Sequence, residues 1–360
     1  MSKKSIHSGF RTGLRAAAVA VLAAGLAAGA AVAQERIYVG NTTDSTLTVI
    51  DPSTNAQVDL GFTLPNTNGL AASADGHQLY AASSTDFAVI DTTINVIVGS
   101  VPIPQGTGAI AVHPNGKFVY TLAPIGSTTL TVLSTFIFPH VVQEVPLNTL
   151  PGGIAISPDG RLLYIANIFD GSLTVMSTST YRSFSIPVNP LPIAVAASPD
   201  GAHVYVAHPD FNVLTVVDFG AGSITTVSVP SPNALTVTPD GSRVYVTNGA
   251  QNTVTAIDAA TNAVIATIPV GNEPFAAAVS AGGTSVYVTN QGSDTTSVIS
   301  TATNTVVATI PVGSTPQPVV DVVRRGPGSK FECMDGGWQH FTNPSFKNEG
   351  DCIAFYNSIH

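Results

Sequence analysis

The chain has 360 residues, of which 13 are Lys or Arg, 22 are Asp or Glu and two are Cys. Four of the cations, Lys3, Lys4, Arg11 and Arg15, precede residue 34, so residues 34–360 carry nine cations against 22 acids, a formal −13. That balance argues against nucleic acid or an anionic lipid surface as partner, because both are bound through clustered Lys and Arg.

The N-terminal stretch MSKKSIHSGFRTGLR is basic and is followed by AAAVAVLAAGLAAGAAVA, ending in Ala31-Val32-Ala33. A basic start, an apolar run and a small-x-small exit form a secretory signal peptide over residues 1–33, cut before Gln34. The segment has no Arg-Arg pair, so a Sec-type route is expected, with the product periplasmic, on the cell surface or secreted. The alternative is a retained anchor, which the weakly hydrophobic Ala/Gly run argues against. No transmembrane segment is expected after cleavage.

From residue 34 the chain repeats itself. Tyr38, Tyr80, Tyr120, Tyr164, Tyr205, Tyr245 and Tyr287 recur every 40 to 44 residues in a common context. A period of that size signals a propeller or a solenoid. Within 233–270, ALTVT, SRVYVTN, TVTAID and AVIATIPV read as four short strands, each alternating or wholly apolar. They are separated by TPDG, GAQN and AATN, which supply the turn residues. Four strands repeated seven times predict an all-β, seven-bladed β-propeller over 34–323. The mature chain opens on a second strand, Arg36–Asn41, and its repeats end on an orphan first strand, Pro318–Val323. These two pieces complete one another as a composite blade, whereas a solenoid would need polar caps at both ends.

YVGN (38–41), YIAN (164–167) and YVTN (245–248 and 287–290), with V-x-x-I-D and T-N-x-V-x-A-T-I-P-V-G following, resemble the YVTN-type β-propeller repeat family. The resemblance covers Arg36 to about Val323. It implies an exported, surface-associated protein, and it brings no common catalytic residue set. The third unit, TLAPIGSTTLTVLSTF, departs most, lacking both the Asn and the Asp.

Most recurring polar residues read as turn chemistry. In SADG, HPNG, SPDG and TPDG, Pro fits the first corner, Asp or Asn bonds locally and Gly takes the positive φ. Asp51, Asp91, Asp218 and Asp258 end the third strand, where a carboxylate accepts backbone N–H groups. His77 and His203 read as solvent-facing strand starts. Asp44, Asp86, Asp170, Asp210 and Asp294 occupy the loops after the second strand, which share one face in a propeller. They are the candidate ligand- or cation-binding residues. No cofactor is expected; Ca²⁺, which prefers such oxygen ligands, is the candidate ion. No His spacing suggests zinc, and there is no nucleophile elbow, haem site or phosphate loop.

Composition shifts at RRGPGSK (324–330), a linker, and the segment 331–360 lies outside the repeat. In an exported protein Cys333 and Cys352 read as a disulfide, with Phe331, Trp338, Phe341, Phe346 and Phe355 packing around it. The form C-x-x-G-G-W-x-x-F…F-K-N-x-G-x-C-x-x-F resembles a small C-terminal module of exported bacterial proteins. The leading functional expectation is a non-catalytic scaffold that binds a protein, glycan or cell-envelope component. The alternatives are a lactonase-like, metal-assisted hydrolase at the channel mouth and a self-associating surface protein.

Overall fold

The computed structural model describes residues 35–60, 64–104, 106–123, 126–135, 139–324 and 352–353. The expected signal peptide and most of the linker and tail, Cys333 included, lie outside the described residues; Cys352 is buried. No described helix is long and apolar enough to cross a membrane.

The described chain folds into seven antiparallel sheets of four strands each. Blade 1 contains Glu35–Asn41, Thr46–Ile50 and Gln57–Leu60, with Pro316–Val323 as its innermost strand. Blades 2 to 7 follow at 67–102, 110–146, 151–187, 194–228, 232–269 and 274–311. Each innermost strand touches the next, and the innermost strand of blade 1 touches those of blades 2 and 7, so the ring is closed. The closing ladder runs from Glu35 opposite Val323 to Asn41 opposite Pro316. The composite blade is therefore present and slightly longer than expected.

Alternation along the second strand explains why the blades stack. Tyr points to one neighbouring blade and its apolar flanks point to the other. Seven buried clusters result, one at each junction between successive blades, and each contains one of the repeat tyrosines. The core is thus divided among the junctions. Removing one such ring costs about 3–5 kcal/mol. Where the Tyr hydroxyl is satisfied across a junction, the acceptor is a turn Asn. Tyr38 donates to Asn95 Oδ1 at 2.6 Å and Tyr245 to Asn304 Oδ1 at 2.8 Å. Both asparagines hold φ 53 between the third and fourth strands, so a residue that reads as local turn chemistry also anchors the adjacent blade.

The Asn closing the second strand has an equally specific task. Asn248 is fully buried and donates to Thr253 Oγ1 (2.9 Å) and Thr255 Oγ1 (2.7 Å) on the third strand. Asn41, Asn167 and Asn290 make the same pair of bonds to hydroxyls five and seven residues on.

The SPDG-type turns behave as expected. Asp75, Asp159, Asp200 and Asp240 accept from the Ser or Thr two residues earlier and from a backbone N–H two residues later. For Asp159, Asp200 and Asp240 the hydroxyl bond is the main reason the carboxyl pKa is held below its ordinary value. His77 does not face solvent: it is buried. His203 is half-buried and pairs with Asp218 at 3.5 Å.

Candidate interaction face

Strand direction sorts the loops onto two faces. First-to-second and third-to-fourth connections lie on one, the turn face; second-to-third and fourth-to-first connections lie on the other, the rim. Asp44, Asp170, Asp210 and Asp294 belong to rim loops, as the sequence implied, whereas Asp86 is the first residue of its strand, Asp86–Asp91, at the same face.

Their individual roles differ. Asp294 holds φ 53 and accepts the backbone N–H of Thr315 at 2.8 Å, strapping its loop to the entry of the next blade. Asn212 and Asn252 do the same for Ser231 and Glu273. Asp44 accepts from Ser314 N–H at 2.6 Å, and Asp86 from its neighbour Thr85. Asp170 and Asp210 are exposed, with no hydrogen bond to their carboxylates among the described residues. No group of three or more His, Cys, Asp or Glu side chains that could hold a metal occurs among the described residues. The five carboxylates therefore share a face without converging.

Among the described residues, the rim loops of blades 4 and 5 expose aromatic side chains. Phe169, 74% exposed, precedes Asp170, and Phe211, 46% exposed, follows Asp210. An exposed aromatic beside an unbonded carboxylate thus recurs on neighbouring loops. Both loops are held from below. Gly171 O accepts from Val188 N–H at 2.9 Å. His208, fully buried where sister blades place Asn, lies 3.0 Å from Pro190 O through Nδ1 and 3.0 Å from Thr215 Oγ1 through Nε2. A carbonyl can only accept, so Nδ1 carries the proton and Nε2 accepts from the threonine. Burial pushes the His208 pKa down, keeping the ring neutral. The short Pro209–Phe211 helical turn starts on this fixed point.

A sixth rim carboxylate, the exposed Glu273, lies ahead of Pro274. All six described Lys and Arg residues are on the turn face: Arg36, Lys117, Arg161, Arg182, Arg243 and Arg324. The rim therefore has six carboxylates, five in loops and Asp86 at a strand end, and no lysine or arginine among the described residues. The innermost strands carry mainly Ala, Gly, Val and Pro, and Asp321 is their one ionisable side chain.

No protein-family model matches the chain, and no curated protein matches it in sequence. Solved structures do. The periplasmic gluconolactonase of Pseudomonas aeruginosa superimposes with a TM-score of 0.68 at 18% identity, over 80% of this chain and 99% of that one. A functionally unknown protein from Desulfotomaculum acetoxidans gives 0.69 at 16% identity over 80% and 99%. Kuenenia stuttgartiensis hydrazine synthase gives 0.63 at 21% over 72% and 91%. The fold is that of a seven-bladed β-propeller whose structural neighbours include the lactonase-like type.

Proposed function

We propose that the protein is an exported, non-catalytic propeller of the YVTN-repeat kind that binds a basic protein partner through its rim. One observation carries this reading: the exposed pairs Phe169–Asp170 and Asp210–Phe211 stand on adjacent loops of a face without described Lys or Arg. Aromatic faces attract Lys and Arg side chains, and nearby carboxylates add directional, salt-sensitive attraction. The rigid strands beneath remove ordering cost from the protein side.

The test is retention of envelope proteins on the immobilised full chain, compared with a Phe169→Ser/Phe211→Ser and an Asp170→Lys/Asp210→Lys variant. Retention that both variants abolish, and that weakens with salt, supports the reading. Equal retention by all three forms, or none by any, overturns it.

The second reading is a lactone hydrolase, suggested by the gluconolactonase neighbour. Its requirement for an acid–base or metal group at the channel is supported by nothing on the innermost strands except Asp321. Turnover of gluconolactone by the purified chain, abolished by Asp321→Asn, would favour it over binding.

A further inference from the structure

Six blades join their first and second strands through a covalent turn in which Ser, Thr or His precedes the Asp or Asn corner or its equivalent. Blade 1 has no such turn, because its inner pair comes from the two ends of the described chain. At that place the structure puts two carboxyl groups. Glu35 opposes Val323 and Ile37 opposes Asp321, so Glu35 and Asp321 are diagonal neighbours on one face of the ladder, within side-chain reach. Ala281 N–H, in the turn of blade 7, donates to Glu35 Oε1 at 3.0 Å. Glu35 raises the Asp321 carboxyl pKa while the backbone N–H groups of Ala281 and Val322 lower it, and Asp321 Oδ1 is buried with no hydrogen bond within 3.5 Å among the described residues.

The position is otherwise apolar. Opposite the residue before each repeat Tyr, the other blades place Ala72, Val112, Ile156, Ala197, Val237 and Val279. The acid is thus peculiar to the seam.

We propose that Glu35 and Asp321 share one proton across the ring-closing ladder, and that this proton is an alkali-sensitive latch on closure. Two carboxylates held side by side repel, whereas a carboxylic acid donating to a carboxylate is a strong, short-range bond. Burial, with the Glu35 charge adding to it, pushes the Asp321 carboxyl up to about 8. The backbone N–H groups of Ala281 and Val322 relieve it only in part, since burial and Glu35 outweigh them. Tyr287 of blade 7 is itself pushed up to about 12, chiefly by burial, with Glu35, Asp321 and Asp51 contributing. Arg36 lies on the next ladder position and is engaged with Asp51 at 3.2 Å, and Arg324 acts on Tyr38. The sign follows from proton uptake: between pH 3.8 and about 8 the folded chain holds a proton that the unfolded chain has lost. The latch is fully effective below the lower value and is lost as pH rises through the upper one.

The experiment is thermal unfolding of the full chain from pH 5 to pH 9, for the wild type, Asp321→Asn and Asp321→Val, the last taking the sister-blade residue type. The wild-type melting temperature is expected to fall by about 5 °C more than that of either variant over this range. Hydrogen exchange should place the alkaline loosening in Glu35–Asn41 and Pro316–Val323. Parallel pH profiles for wild type and Asp321→Asn, or loosening elsewhere with the seam unchanged, overturn the latch. Should both variants fold poorly, carboxyl ¹³C titration of the wild type decides: a group titrating near pH 8 supports the proposal, and ordinary carboxylate values at both positions overturn it.

Discussion

Blade 1 and blade 6 have the same four strands and the same buried Tyr, yet their inner pairs are joined differently. In blade 6 the TPDG turn connects them covalently, and Thr238 and Asp240 lock the corner. In blade 1 a ladder and a carboxyl pair do this with no connecting peptide. The contrast teaches that the repeat consists mainly of joints. Its recurring letters hold strand to strand and blade to blade, and the seam needs separate chemistry where the letters run out.

Four substitutions break or sharpen that contrast. The largest effect is expected at Gly76. It holds φ +74, and an added Cβ would overlap the Val323 carbonyl at the end of the closing strand. Gly116, its counterpart in blade 3, holds φ +70 with nothing nearby. Gly76→Ala should cost about 3 kcal/mol and Gly116→Ala about 1 kcal/mol, since only the first adds overpacking to left-handed strain. Denaturant unfolding of the pair measures the difference, and equal losses would deny that the seam bears on its neighbour.

Next comes Asn248→Ala, which removes two buried bonds between the second and third strands and should cost about 2 kcal/mol. A loss within error would reduce the YVTN asparagine to a surface turn residue. The smallest effect, confined to acid, is expected for His208→Asn. The folded His208 pKa lies below its ordinary 6.5, so below that pH the unfolded chain takes up a proton that the folded one resists. Wild-type stability therefore falls as pH drops below about 6.5 and is flat in this term above it. Replacing His208 by the Asn of the sister blades should flatten that acid limb, as melting curves from pH 5 to 7.5 would show.

The ring was legible because its determinants recur. Tyr38 to Tyr287 mark seven junctions, and the turn glycines and asparagines supply the backbone geometry that each unit needs. Even the divergent third unit forms a complete blade, since Tyr120 and the apolar alternation survive there. Closure was legible too, from two fragments lacking a partner in sequence.

The candidate face was legible only by address. Asp44, Asp86, Asp170, Asp210 and Asp294 were rightly placed on one side, but they are not equivalent. Asp294 straps a loop, Asp44 caps one, and only Asp170 and Asp210 stand unbonded beside exposed aromatics. Phe169, Phe211 and Glu273 occur once each and so carry no period. The adjacency of Glu35 and Asp321 depends on ladder register between segments nearly three hundred residues apart. His77 was misread because the matching positions in other units carry the polar Lys117, Arg161, Arg243 and Ser285.

The pairing of Glu35 with Val323 has a practical corollary. The polypeptide both enters and leaves the disc on the turn face, a few ångströms apart and on the far side from Phe169 and Phe211. A tether fused before residue 35 or after residue 324 would hold the disc by its underside and present those rings outward. The two leads would occupy one attachment point.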